Sequence, residues 1–285
     1  MKANDYTKTK PVWCPGCGYF GILRALHQTF ADLNLKQEDI LIVSGIGCSG
    51  KFSSATMSYG FHGVHGRLLP VAIGAKLSNS DLTVVGIGGD GDGFSIGLSH
   101  FIHAVRRNVR VVYISTDNHV YGLTKGQTSP TSDPSFKTKT TPYGPEIEPV
   151  HPLLLSLSSG GTFVSQAFAG DIKEMVDIFK QALNYDGFAH VNVLSPCVTY
   201  NHVNTYDWYR QNIIKLNTLP DYDPHNIQFA LSKAADFDHV YTGIFYIDEN
   251  KKSYNNNKNY MPDKPIAKQP LRKDENIDLY SILST

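Results

Sequence analysis

A short apolar run that ends in glycines and leads into an amphipathic helix recurs along this chain. That recurrence limits the folds open to it more than any other feature. Leu41-Ile42-Val43-Ser44-Gly45-Ile46-Gly47 is one such run, and Leu82-Thr83-Val84-Val85-Gly86-Ile87-Gly88-Gly89 is a second. Residues 109–115, 162–167 and 190–194 read as three more strands. The runs are short, rich in β-branched residues and apolar on both faces, as strands inside a parallel sheet must be. Helical faces lie between them. Phe20, Leu23, Leu26, His27 and Phe30 form one, and Phe94, Leu98, Phe101, Ile102 and Val105 form another. Ile172, Met175, Val176, Ile178, Phe179 and Leu183 form a third, with Asp171 as its expected N-cap. Strand–helix alternation of this kind predicts an α/β fold with a doubly wound, mainly parallel sheet. Ligands then bind at the carboxyl ends of its strands.

Two segments depart from the pattern. Residues 119–152 carry prolines and glycine turns without periodicity, so they read as a long loop, and loops of that length are usually functional. Beyond Asn201 the strand signal fades into an aromatic stretch, Tyr206-Asp207-Trp208-Tyr209-Arg210, and later a polar one, 249–257. The expected organisation is an α/β domain over 1–205 and an irregular C-terminal extension over 206–285. That extension is expected to contact a partner or to be partly disordered.

The balance of 26 Lys+Arg against 26 Asp+Glu argues against a nucleic-acid binder, which usually carries a basic excess. No apolar run reaches the ~18 residues of a membrane span. The polar start, Met1-Lys2-Ala3-Asn4, does not read as a signal peptide, so the cytoplasm is the expected setting. Four cysteines in 285 residues are too few for a disulfide scaffold. In a reducing compartment, the spacing Cys14-x-x-Cys17 points to metal, cluster or redox chemistry instead.

The strand 82–89 closes on Gly88-Gly89-Asp90-Gly91-Asp92-Gly93 and opens a helix. Glycines let a backbone approach a ligand, and a helix N-terminus offers free N–H groups to phosphate. The aspartates would repel a bare pyrophosphate, so a hard cation between acid and phosphate is needed, and Mg2+ takes such ligands. A simple turn would use the same glycines. Asn118, one βαβ unit later at the end of the next strand, argues against a turn alone, because its carbonyl oxygen is placed to share a cation with Asp90.

With that pair in place, further motifs follow in order. They are Trp13-Cys14-Pro15-Gly16-Cys17-Gly18, Gly45-Ile46-Gly47-Cys48-Ser49-Gly50, His65-Gly66-Arg67-Leu68-Leu69-Pro70 and Tyr121-Gly122-Leu123-Thr124-Lys125-Gly126-Gln127-Thr128. Over residues 10–210 the chain resembles the beta subunits of 2-oxoacid:ferredoxin oxidoreductases, which bind thiamine diphosphate. The resemblance implies a [4Fe–4S] cluster on Cys14, Cys17, Cys48 and Cys197. It implies Mg2+ on Asp90, Asn118 and the Val120 carbonyl, and a diphosphate lined by Gly89, Gly91, Asp92, Gly122, Leu123 and Thr124. Cys48, Ser49, His65, Gly66 and Arg67 would lie near the thiazolium ring. His65 is taken as catalytic, His62 as structural, and Lys51 as a candidate anchor for the substrate carboxylate. Lys125 would meet substrate, cofactor or partner.

The implied reaction is CoA-dependent oxidative decarboxylation of a 2-oxoacid to acyl-CoA and CO2, with electrons passing through the cluster to ferredoxin. 2-Oxoglutarate is favoured and pyruvate is open. In this superfamily a glutamate that contacts the cofactor's pyrimidine belongs to a separate domain. Glu146, Glu148 and Glu174 match no such motif here, so an alpha subunit would contribute the pyrimidine-binding and CoA-contacting part of a heterodimer. The alternative is a non-redox thiamine diphosphate decarboxylase or synthase subunit with a structural four-cysteine zinc site, which C-x-x-C also suits. A plain iron–sulfur electron carrier would have no use for the Asp90–Asn118 pair.

Overall fold

A computed structural model describes residues 1–256, 261–262 and 264–269. Its strands are β1 (Ile40–Ser44), β2 (Tyr59–His62), β3 (Thr83–Gly89), β4 (Val112–Asp117), β5 (Phe163–Phe168), β6 (Ala189–Leu194), β7 (Ile213–Lys215) and β8 (Val240–Ile247). The helices are α1 (Tyr19–Asp32), α2 (Phe52–Ala55), α3 (Leu68–Ser78), α4 (Leu98–Arg107), α5 (Pro152–Ser158), α6 (Ile172–Asn184), α7 (Tyr206–Asn212) and α8 (Ile227–Ala234). The strands form one sheet in the order β2-β1-β3-β4-β6-β5-β8-β7. From β2 to β5 every pair is parallel.

Every residue of β4, β5 and β6 is buried, polar ones such as Ser115, Gln166 and Asn192 included, as in strands covered on both faces. One face is covered by α1 and α6, where Ile22, Leu26 and Phe30 join Met175, Ile178 and Phe179 in a single core. The other face is covered by α3 and α4 through Leu68, Leu69, Ala72, Phe101 and Val105. Asp171 caps α6 as expected, its side chain accepting from the Glu174 N–H at 3.0 Å.

The helix expected from Phe94 begins later, at Leu98. Asp92–Ile96 form one wide π-type turn instead, a feature often found at functional sites. No helix or strand interrupts the span between β4 and α5, so the long loop is as expected.

The C-terminal part differs most from the sequence reading. The first portion of the expected irregular extension is regular through Ile247: α7, β7, α8 and β8 follow one another. β8 runs antiparallel to β5, and β7 parallel to β8, so the extension completes the sheet. It builds a further core with α5, in which Leu153, Leu157, Ala230 and Phe245 are buried. Its strand signal is weak for two physical reasons. Gly243 breaks β8 at φ +124°, and the register against β5 shifts at Val164/Ser165, so the side-chain alternation is interrupted. The end of the extension, 270–285, lies outside the described residues. Among the described residues no helix is long and apolar enough to cross a membrane.

Candidate functional site

The register of β3 against β4 pairs Gly89 with Thr116, so the chain leaves both strands side by side. Asp90–Asp92 follow β3, Asn118 onward follow β4, and Ile46–Ser49 follow the neighbouring β1. These turns, with His65 from beyond β2, enclose a cavity of about 470 Å³. The local sequence permits the close approach. A Cβ at Gly91 would fall inside the Tyr121 ring, and one at Gly45 would fall on the Asp92 carboxylate.

Asp90 is buried on the cavity wall. Its Oδ2 accepts from the Ser129 hydroxyl and lies 2.8 Å from Thr131 Oγ1, which in turn lies 2.7 Å from Asp117 Oδ1. Burial, then the charge of Asp117, push the Asp90 carboxyl up to about 6. Thr131 has one hydroxyl proton for two carboxylates. His119 Nδ1 also lies 3.4 Å from Asp117 Oδ1, and a bound cation would further relieve the repulsion between the two carboxylates. His119, at φ +57°, supports the turn from behind. Its Nδ1 meets the Thr131 carbonyl at 2.7 Å and its Nε2 meets the Tyr209 hydroxyl at 3.0 Å.

Asn118 is held at both side-chain polar atoms and at its backbone carbonyl. Its Nδ2 donates to the Tyr19 hydroxyl at 3.2 Å, and its Oδ1 accepts from the Val120 N–H at 3.1 Å. Its backbone carbonyl accepts from Asn201 Nδ2 at 3.1 Å. Asp92 is a knot rather than a free acid. Oδ1 receives the N–H groups of Ile46 and Gly66, both at 2.9 Å, and His65 Nδ1 at 3.0 Å. Ser49 Oγ is buried at the cavity with no hydrogen-bond partner among the described residues, so it is a donor left for a ligand.

All four cysteines are free thiols. They share one neighbourhood: Cys17 feels the charges of Cys197, Cys48 and Cys14. A Cβ at Gly122 would lie 3.7 Å from the sulfurs of both Cys48 and Cys197. Burial first, with the neighbouring thiols adding, pushes Cys17 up to about 12. The Trp13 indole donates to the Cys48 carbonyl at 2.8 Å, which ties the Cys14-x-x-Cys17 segment to Cys48. Among the described residues no three His, Cys, Asp or Glu side chains surround a single-ion position. Cys48 lines the cavity as well, so the sulfur group and the cavity share a wall.

The structure brings Cys48, Ser49, His65, Gly89, Asp90, Gly91, Asp92, Asn118, Val120, Gly122, Leu123 and Thr124 to this cavity. It does not bring Lys51, Gly66 or Arg67 to its lining. Gly66 is packed beneath Ile96 and Gly97, and the Arg67 guanidinium turns to the Ile96 carbonyl at 3.2 Å. Lys51 ends the 3-10 turn that begins at Cys48, one turn beyond the wall. Sequence reasoning missed Tyr19, Ile46, Gly47, Tyr121, Gln127 and Thr128 as lining residues. Membership in the same motifs, or for Tyr19 a place next to one, was the available signal. Only the folded loops show which side chains turn inward.

Comparison with known proteins agrees with this geometry. Residues 45–193 match the family described as thiamine pyrophosphate enzyme, C-terminal TPP binding domain. Residues 197–262 match the family described as the C-terminal part of the pyruvate ferredoxin oxidoreductase beta subunit. The chain is 44% identical over 279 residues to a 2-oxoacid:ferredoxin oxidoreductase subunit beta from a Sulfolobus species, covering 92% of this chain and 91% of that one. It is 42% identical over 202 residues to the 2-oxoglutarate oxidoreductase subunit KorB of Mycobacterium tuberculosis, covering 70% of this chain and 54% of that one. Among solved structures it resembles the 2-oxoglutarate:ferredoxin oxidoreductase of Magnetococcus marinus, with 2-oxoglutarate, coenzyme A and succinyl-CoA bound. That match has a TM-score of 0.86 and 41% identity, over 89% of this chain and 87% of that one.

Proposed function

The chain belongs to the beta subunits of the 2-oxoacid:ferredoxin oxidoreductases, and on that premise we propose how its cavity and its cysteines divide the chemistry. The domain over 45–193 is a thiamine diphosphate-binding domain. In this reading Mg2+ is held by the Asp90 carboxylate, the Asn118 side-chain carbonyl and the Val120 backbone carbonyl. The observation that carries the reading is that Asp90, buried and linked through Thr131 to a second carboxylate, Asp117, stands with Asn118 on the wall of one cavity. The Gly89, Gly91, Gly122, Leu123 and Thr124 segments lie along the diphosphate, with the free Ser49 hydroxyl as a donor. Asp92 acts one step back, fixing the loops that carry Ile46 and His65.

Thiamine diphosphate, when bound, supplies the electron sink for releasing CO2 from a 2-oxoacid. His65 is held by Asp92 through Nδ1 and lines the cavity, so its second ring nitrogen, Nε2, would be the one to hold or accept a proton. Cys14, Cys17, Cys48 and Cys197 would hold a [4Fe–4S] cluster that supplies one-electron transfer toward ferredoxin. Four thiols in one neighbourhood, one of them on the cavity wall, support that assignment. The bound molecules of the Magnetococcus structure support 2-oxoglutarate and coenzyme A as substrates. An alpha subunit would bring the pyrimidine-binding and CoA-contacting part. No glutamate stands among the described residues that line the cavity. The cytoplasm, where thiols stay reduced, suits this assignment.

The test is the complex purified anaerobically with its alpha subunit. Iron, zinc, magnesium and thiamine diphosphate are measured, then turnover on a panel of 2-oxoacids with coenzyme A and ferredoxin. Iron with thiamine diphosphate and a preference for 2-oxoglutarate are expected. Zinc without iron, and CO2 release without reduction of ferredoxin, would replace this reading with that of a non-redox decarboxylase.

A further inference from the structure

We propose that Tyr19 is a positioning residue that holds the cation ligand Asn118 and the Cys17 segment in one fixed arrangement. The proposal rests on the cation site assigned above. Tyr19 lies two residues after Cys17 and is 2% exposed on the cavity wall. Its hydroxyl accepts from Asn118 Nδ2 at 3.2 Å, and the next residue, Phe20, donates its backbone N–H to the Cys17 carbonyl at 3.2 Å. The ring cannot swing away. Trp13 packs edge-on at 5.6 Å and Phe52 packs at 5.6 Å on a tilt.

An asparagine amide has two unlike ends, and only its oxygen can ligate Mg2+. The Val120 N–H fixes which end is the oxygen, and Tyr19 holds the amino end out of the cation's way. The other cysteine segment grips the same residue. Asn201 donates its backbone N–H to the Cys197 carbonyl at 3.0 Å and its Nδ2 to the Asn118 carbonyl at 3.1 Å. Asn118 is thus clamped between the segments that carry Cys17 and Cys197. Partners behind a metal ligand set its orientation and affinity. The phenol at position 19 is such a partner, and it also sits on the sulfur site.

Mn2+ binding to the complex with thiamine diphosphate present, followed by electron paramagnetic resonance, tests the assignment. Tyr19→Phe keeps the ring and the backbone N–H and removes only the hydroxyl. It should weaken Mn2+ binding about tenfold, with iron content unchanged. In an Asn118→Ala background the same change should add less than about twofold, since nothing remains to orient. Unchanged Mn2+ affinity in Tyr19→Phe overturns the proposal. So does an equal loss in the Asn118→Ala background, because it marks a role that does not act through Asn118. Asp90→Ala serves as the separate check on the cation site. It should abolish Mn2+ binding, and full retention there would sink the cation assignment rather than the role of Tyr19.

Discussion

Asp92 Oδ1 accepts from His65 Nδ1 at 3.0 Å, across a sequence separation that places the two residues in different strand–helix units. The same oxygen receives two backbone N–H groups, so one carboxylate fixes the turns after β1 and β2 against the turn after β3. Asp92→Ala leaves two N–H groups without their acceptor and should cost about 3 kcal/mol of stability, read from the urea midpoint. Asp92→Asn keeps an oxygen for those N–H groups but weakens the hold on His65. Its turnover should fall about tenfold with the fold intact. Full activity in Asp92→Asn would show that His65 orientation does not matter to the reaction.

Trp13 and Cys48 give a second expectation. The indole N–H is the donor to the Cys48 carbonyl, and its ring stacks edge-on with Tyr19 and Phe20. Trp13→Phe should lower stability by about 1 kcal/mol and speed the loss of iron to a chelator, since it frees the Cys48 loop. Iron loss at the unmodified rate would argue that the loop is held by its other contacts.

Removal of the cation should separate Asp90 from Asp92. Asp90→Asn keeps the shape of the side chain and lowers the negative charge at the cavity. Mg2+-dependent binding of thiamine diphosphate, measured by calorimetry, should weaken by at least about a hundredfold, while the urea midpoint holds or rises. It should hold or rise because the variant removes a buried carboxylate that Asp117 already disfavours. Retained binding would move the cation elsewhere.

Lys51 offers a contrast. It lies outside the cavity lining, and its charge acts on Cys48, lowering that thiol against the larger upward push of burial. Lys51→Ala should leave the 2-oxoacid KM within about twofold and lower the cluster's reduction potential, because a nearby cation favours the reduced, more negative state. A several-fold rise in KM with an unmoved potential would restore Lys51 as the substrate anchor.

His27 sets an acid limit on the fold. Buried in α1 against Thr56, with Nε2 3.1 Å from the Thr56 hydroxyl, it is held neutral, and burial lowers it to about 4. A histidine lowered in the folded state contributes its full stability above its unfolded value near 6.5 and loses it as pH falls toward 4. Between pH 7 and 4.5 the loss should be on the order of 2–3 kcal/mol, and His27→Gln should flatten that part of the profile. An unchanged slope in the variant would assign the acid sensitivity to other groups, such as His190, which is lowered to about 3 by burial.

Much of this was legible in the residues. Runs such as 82–89 are buried on both faces, so their pattern carries the strand assignment without any knowledge of neighbours. The Asp90 and Asn118 turns sit at adjacent strand ends because parallel βαβ units always return the chain to the same edge. β8 was not legible, because an antiparallel strand with a positive-φ glycine and a shifted register has no clean period. That Lys51 and Arg67 stand off the cavity lining was not legible for a related reason. A motif gives the neighbourhood of a residue, and one or two positions along the chain are enough to carry a side chain off the wall.

The sequence alone determined the α/β alternation, the strand-end position of the acid and amide, and the supply of four thiols. Each depends on periodicity or on residue type, which are local properties. Only the tertiary structure decided that Asp92 ties three loops together and that Tyr19 holds Asn118 beside the Cys17 segment. It also decided that the C-terminal extension finishes the sheet. Those outcomes are set by contacts of a few ångströms between segments far apart in the chain, and these exist only once the core has fixed where each loop ends.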